Sequence, residues 1–69
     1  MRLSARNQIK GTVRDVTKGA TTSHVTVDIG GGNVVTASIT NEAVADLSIT
    51  SGAKVTVVIK ASDVMIGVG

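Results

Sequence analysis

None of the 69 residues of this chain is Phe, Tyr, Trp or Cys. That absence constrains the fold more than any motif does. A domain this short buries only a modest fraction of its surface and is marginally stable alone. Small scaffolds make up the deficit with disulfides, a structural metal or association. Without cysteine there is no disulfide and no thiolate metal site, and the single histidine, His24, has no cluster of partners with which to hold a cation. The aromatic side chains that bury the most area each are missing as well. Yet 42% of the residues are hydrophobic, mainly Val, Ile and Ala, and that surface needs cover. Association into a homo-oligomer is the route left, and it is the expectation.

Alternation of apolar and polar residues marks the strands. In "SHVTVDIG", Val25, Val27 and Ile29 face one way and His24, Thr26 and Asp28 the other. "GGGN" (Gly30 to Asn33) follows as a hairpin connection built from residues that tolerate positive φ. "VVTASIT" resumes the alternation with Val35, Ala37 and Ile39. "TNEAVADL" then reads as a short helix with Thr40 as N-cap, Glu42 in the first turn, and Ala43, Val44 and Leu47 on one face. A turn at Ser51-Gly52 leads into "AKVTVVIK", a fourth strand with Val55, Val57 and Ile59 inward. Val58 interrupts its polar face, as a segment covered by a partner chain would. "ASDVMIGVG" reads as a fifth strand with Val64, Ile66 and Val68 in register. The first strand, "NQIKGTVRDV", carries Gly11, which predicts a bulge or sharp bend there. The order β-β-β-α-β-β predicts an all-β fold, a five-stranded OB-fold-like barrel with one short helix, in a single domain spanning residues 1–69.

Composition excludes several functions. Seven Lys or Arg stand against five Asp or Glu, a net charge of +2 without any basic block. No apolar stretch approaches a membrane span and no h-region follows the N-terminus, so a cytoplasmic protein without membrane partners is expected. The acids Asp15, Asp28, Glu42, Asp46 and Asp63 show no paired-carboxylate spacing, His24 sits mid-strand among threonines, and no Ser/His/Asp order is credible, so no enzyme is expected. The glycines of "GGG" join two strands rather than a strand and a helix, so they are not a phosphate loop. A small barrel that binds single-stranded nucleic acid stacks bases on aromatic rings along a basic groove. This chain has neither, so no nucleic-acid partner is expected, and the stacking of a flat ring such as a pterin is disfavoured on the same ground.

Small-anion binding remains. Ser4 and Arg6 offer a hydroxyl and a guanidinium near the N-terminus. Lys60, at a strand end, offers an ammonium, and Ala61 and Ser62 follow with turn amides. Thr40 opens a helix. Charge-assisted hydrogen bonds are about twice as strong as neutral ones, but each segment alone has a bland reading as surface residue, turn or cap. Only convergence in space makes a site.

These residues fall in stretches that resemble a known family. "SARNQIKGTV", "GGGNVVTASIT" and "VIKASDVMIG" look like molbindin, the small cytoplasmic molybdate-binding proteins also called Mop proteins, and the resemblance covers essentially the whole chain. It implies an OB-type fold, a hexamer arranged as a trimer of dimers, and molybdate or tungstate held as a ligand at subunit interfaces, with no cofactor. It implies a first kind of oxyanion site from Ser4, Ala5, Arg6, Lys60, Ala61 and Ser62 of one chain with Thr40 and Ala43 of a neighbour. Ala61 and Ala43 stand where some relatives have Ser, so each can offer only its backbone N–H. It implies a second kind of site in the loop between the first two strands, with Lys18, Gly19, Ala20 and Thr22. The expected role is storage, buffering or homeostasis of molybdenum. The alternative is a structural or protein-interaction module of the same fold without tight anion binding. Asn7 is expected to tie the N-terminal segment to the barrel rather than touch the ligand.

Overall fold

The computed structural model describes residues 1–69. The strands are β1 (Asn7–Lys18), β2 (Thr22–Gly30), β3 (Asn33–Thr40) and β4 (Lys54–Ile59), with helix α1 (Asn41–Asp46) between the last two. They form one antiparallel sheet in the order β3-β2-β1-β4. β1 organises it. Its first half, Asn7–Thr12, pairs with β4, and its second half, Thr12–Lys18, pairs with β2.

The change of partner is made possible by two local features. Arg14 is skipped in the register between Val13 and Asp15, a β-bulge that raises the local twist. The bulge expected at Gly11 therefore sits three residues later. Gly11 serves a different need, close approach: a Cβ there would lie 2.6 Å from Val27 Cγ1 and 2.8 Å from the Asp28 carbonyl oxygen. The bulged backbone is anchored from the loop before β4, where the Ser51 hydroxyl donates to the Arg14 carbonyl at 2.8 Å.

The β2–β3 hairpin forms as expected. Gly31 and Gly32 have φ of 62° and 78°, the positive values that a two-residue type I′ turn demands. Thr40 caps α1, its hydroxyl oxygen accepting from the Ala43 N–H at 3.1 Å. The apolar face of the helix differs from expectation. Val44 packs on the core, but Leu47 is exposed. The chain reverses at Ser48, whose φ is 53°, and Ile49 N–H donates back to the Val44 carbonyl at 2.9 Å. That reversal brings Ile49, not Leu47, to the core.

The core is Val13, Val25 and Val27, with Val16, Ile29, Ile39, Val44, Ile49, Ala53, Val55 and Val57 packed around it. Only four residues are fully buried, the fourth being Ser23. The inward set expected on β2 (Val25, Val27 and Ile29) matches this cluster, and of the set expected on β4 Val55 and Val57 join it while Ile59, at the strand end, does not. The fifth strand does not form within the chain. A 3-10 turn, Ala61–Asp63, replaces its start, and beyond it Met65, Ile66 and Val68 are 92%, 88% and 101% exposed. A strand needs a ladder, and within one chain this segment has none. The four-stranded sheet accordingly stays open, with β3 and β4 as its edges, rather than closing into a five-stranded barrel.

Candidate functional site

The pairing of β1 with β4 brings the two charged segments to one end of the sheet. Asn7 faces Ile59, and continuing that register by one residue sets Arg6 across from Lys60. Asn7 Nδ2 donates to the Ile59 carbonyl at 3.1 Å, so Asn7 fastens the N-terminal segment to the strand end, as expected. Gln8 Nε2 adds a bond to the Ala5 carbonyl at 3.4 Å. Ser4, Arg6 and Lys60 are exposed and Ala5 is half-buried. After Lys60 the chain enters the 3-10 turn, whose bonds run from Asp63 N–H to the Lys60 carbonyl (2.9 Å) and from Val64 N–H to the Ala61 carbonyl (3.3 Å). The N–H groups of Ala61 and Ser62 stay outside these bonds, as the first donors of any helical turn do. Two cations, the hydroxyls of Ser4 and Ser62 and free amides thus share this end, with the Asp63 carboxylate in the same turn.

Thr40 and Ala43 lie elsewhere. Thr40 pairs with Thr22, beside the end of β1 opposite to Arg6. β1 is 12 residues long, and at about 3.3 Å per residue its two ends are farther apart than any side chain reaches. One chain therefore does not assemble Ser4, Arg6 and Lys60 with its own Thr40. The Ala43 N–H is also taken by the Thr40 cap. Thr40 keeps its hydroxyl proton to donate, whereas Ala43 has neither a hydroxyl nor a free amide.

The β1–β2 connection is the second candidate. Gly19, Ala20 and Thr21 link Lys18 to Thr22, and the loop is closed by Gly19 N–H donating to the Thr22 carbonyl at 2.8 Å. A Cβ at Gly19 would fall 2.7 Å from that carbonyl oxygen. Thr17, Lys18, Gly19, Thr22 and His24 line an open recess of ≈ 220 Å³. The sequence reading missed Asn41 and Ser23, which hold this region. Asn41 N–H donates to the Thr21 carbonyl at 2.9 Å, and Asn41 Nδ2 reaches the carbonyls of Gly19 (3.1 Å) and Ala20 (3.4 Å). The hydroxyl of buried Ser23 donates to Asn41 Oδ1 at 2.5 Å. A signal existed, since the alternation that turns Val25 and Val27 inward also turns Ser23 inward, and a buried hydroxyl needs a partner. A larger open recess of ≈ 410 Å³ lies between β1 and β4, lined by Lys10, Gly11, Lys54, Val55 and Thr56, and contains none of the expected residues. No group of three His, Cys, Asp or Glu side chains gathers to hold a metal ion, and no helix is long and apolar enough to cross a membrane.

Residues 3–66 match the TOBE domain family. The chain is 47% identical over 66 residues to molybdenum-pterin-binding protein 1 of Clostridium pasteurianum, a match covering 96% of this chain and 97% of that one. Its fold superposes on MopII from Clostridium pasteurianum with a TM-score of 0.90 at 43% identity, over 97% of this chain and 100% of that one. It superposes on the cytoplasmic molybdate-binding protein ModG, in a form with molybdate bound, with a TM-score of 0.94 at 46% identity, covering all of this chain and 49% of that one. The chain belongs to the TOBE-domain family, among its molbindin (Mop) members.

Proposed function

We propose that this protein is a single-domain oxyanion-binding protein, residues 1–69, that takes molybdate or tungstate at sites completed between copies of the chain. Its role is storage, buffering or homeostasis of molybdenum rather than catalysis. One observation carries the reading. Arg6 and Lys60 stand just beyond paired strand ends, beside the unused amides of Ala61 and Ser62, in a chain that shares all or nearly all of its length with proteins named for molybdenum and molybdate. A tetrahedral dianion has only acceptor oxygens, and removing it from water is costly unless each oxygen meets a donor. Arg6 and Lys60 neutralise charge. Ser4, Ala61, Ser62 and a neighbour's Thr40 fix orientation, with Ala5 as the backbone between the two donors of the N-terminal segment. The larger oxyanions span such a cage where sulfate does not, and the proton of hydrogen phosphate would face donors. Molybdate and tungstate are nearly equal in size, so the site discriminates poorly between them.

Association into a homo-oligomer draws on two supports, and the hexamer built as a trimer of dimers is what the family resemblance adds to them. The β1 end lacks the Thr40 partner within its own chain. Val64, Ile66 and Val68 have the spacing of a strand in an exposed tail that also carries Met65, next to a sheet with open edges. A second copy that pairs with the tail would bury these side chains, worth about 1.5–3 kcal/mol each when fully covered. The partners are other copies of the chain and the oxyanion, in the cytoplasm, without nucleic acid or membrane. Titration calorimetry with molybdate, then sulfate, tests the reading. Saturable heat from molybdate and little from sulfate is expected; no heat from molybdate would overturn it. Oxidised pterin in the same cell should give no heat, because no aromatic ring is present to stack on it. A reading as an interaction module without tight binding draws on one observation, the loss of both hydroxyl and free amide at Ala43, and predicts that silent titration.

A further inference from the structure

Every carbonyl of the Gly19–Thr21 loop is bonded to one residue. Gly19 and Ala20 accept from Asn41 Nδ2 and Thr21 accepts from Asn41 N–H. The chain has no cis peptide bond, and in a trans peptide the N–H points opposite to the C=O of the same unit. Pinning the carbonyls of Gly19 and Ala20 toward Asn41 therefore turns the N–H groups of Ala20 and Thr21 the other way. Those two N–H groups enter none of the loop's hydrogen bonds. Successive free N–H groups facing one side form a concave anion-binding nest. Asn41 is itself oriented. A carbonyl oxygen cannot donate, so only the amide nitrogen suits Gly19 and Ala20, and the remaining Oδ1 takes the hydroxyl of Ser23, which is 1% exposed.

We propose that Asn41 is the positioning residue of this loop: by holding all three carbonyls, it presents the Ala20 and Thr21 amides, beside Lys18 and Thr22, to an oxyanion. Without it the loop carbonyls are free to rotate toward the anion and repel it. This rests on the oxyanion reading above, and the buried Ser23 supplies the rigidity. Asn41 touches protein, not ligand.

Amide resonances of the ¹⁵N-labelled assembled protein, followed during a molybdate titration, test it. Ala20 and Thr21 N–H resonances are expected to move downfield to saturation, while the Asn41 Nδ2–H resonances stay near their starting positions. If the amides of Ala61 and Ser62 respond and those of Ala20 and Thr21 do not, this proposal fails and the oxyanion reading stands. If no amide responds, both fail. A shift of Asn41 Nδ2–H as large as those of Ala20 and Thr21 would make it a ligand and overturn the positioning role. In Asn41→Ala the response of Ala20 and Thr21 should need about tenfold more molybdate, with the Ala61 and Ser62 response unchanged. Equal weakening of both groups, or none, overturns the assignment. Ser23→Ala, which keeps the carbonyl clamp but frees Asn41 Oδ1, should give a smaller loss confined to the same two amides. Should Asn41→Ala not fold, the wild-type titration still decides.

Discussion

The two ends of β1 solve the same chemical problem in opposite ways. At the Lys18 end the loop carbonyls, Asn41 and Ser23 satisfy one another within a single chain, through hydrogen bonds of 2.5 to 3.4 Å. At the Arg6 end the donors are assembled by strand register but left uncovered, and the chain runs on into an apolar tail with nothing beneath it. The first end is a framework complete within one chain, with the Ala20 and Thr21 amides left over. The second is half of one. A small chain without aromatics has too little apolar mass to finish both, so the unfinished end becomes the natural place for a neighbour and for a ligand shared with it.

Removing the tail after Asp63 should break that asymmetry most strongly. It deletes the apolar residues that a second copy would bury, so the assembly is expected to fall apart at micromolar concentration in native mass spectrometry; an intact oligomer would place the interface elsewhere. Next in size, Arg6→Ala should weaken molybdate binding by about 10- to 100-fold, or roughly 1.4 to 2.7 kcal/mol. The melting temperature without ligand should hardly move, because Arg6 is exposed and makes no hydrogen bond that a fold would miss. A large loss of ligand-free stability would make Arg6 structural. Thr40→Val removes the α1 cap and should destabilise by about 1 kcal/mol, read from denaturant midpoints. If Thr40 also donates to a neighbour's ligand, molybdate affinity falls as well, and this variant links the two ends through the assembly. Asp63→Asn removes the carboxylate from the turn that carries the free Ala61 and Ser62 amides, and should tighten molybdate binding modestly, by about 0.2–1 kcal/mol at low salt and less as salt is added. Weaker binding would mean that Asp63 orients Arg6 or Lys60.

A ligand that binds only the assembled protein also stabilises it by mass action, and the effect is about 2.7 kcal/mol at a hundredfold excess over Kd. Molybdate should therefore raise the melting temperature more than equal sulfate. The same comparison in Arg6→Ala and Asn41→Ala would divide the shift between the two ends of β1.

Local pattern made much of this architecture legible. Alternation placed Val25, Val27, Val55 and Val57 inward, the triple glycine marked the hairpin, and Thr40 announced the helix cap, because each depends on residues a few positions apart. Proximity in sequence also identified Ser4 and Arg6, and Lys60 with its following amides, as donor clusters. It could not show that they meet: that follows from the pairing of Asn7 with Ile59 across 52 positions. Nor could it place the bulge, which falls at Arg14, two residues past the point where β1 passes from β4 to β2, while Gly11 answers to the approach of Val27 and Asp28. Leu47 and Ile49 are equally apolar, and only the reversal at Ser48 chose between them. Asn41 reads as an ordinary first residue of a helix until the β1–β2 loop, some twenty residues earlier, is folded against it. The sequence by itself determined the first four strands, the turn and cap chemistry, and the shortage of core that calls for a partner, since these are set by local sterics and total apolar mass. The tertiary structure decided which donors share an end of β1, which amides remain free, and that the last apolar segment has no strand to pair with inside its own chain, since hydrogen bonds between distant segments have no signature in either segment alone.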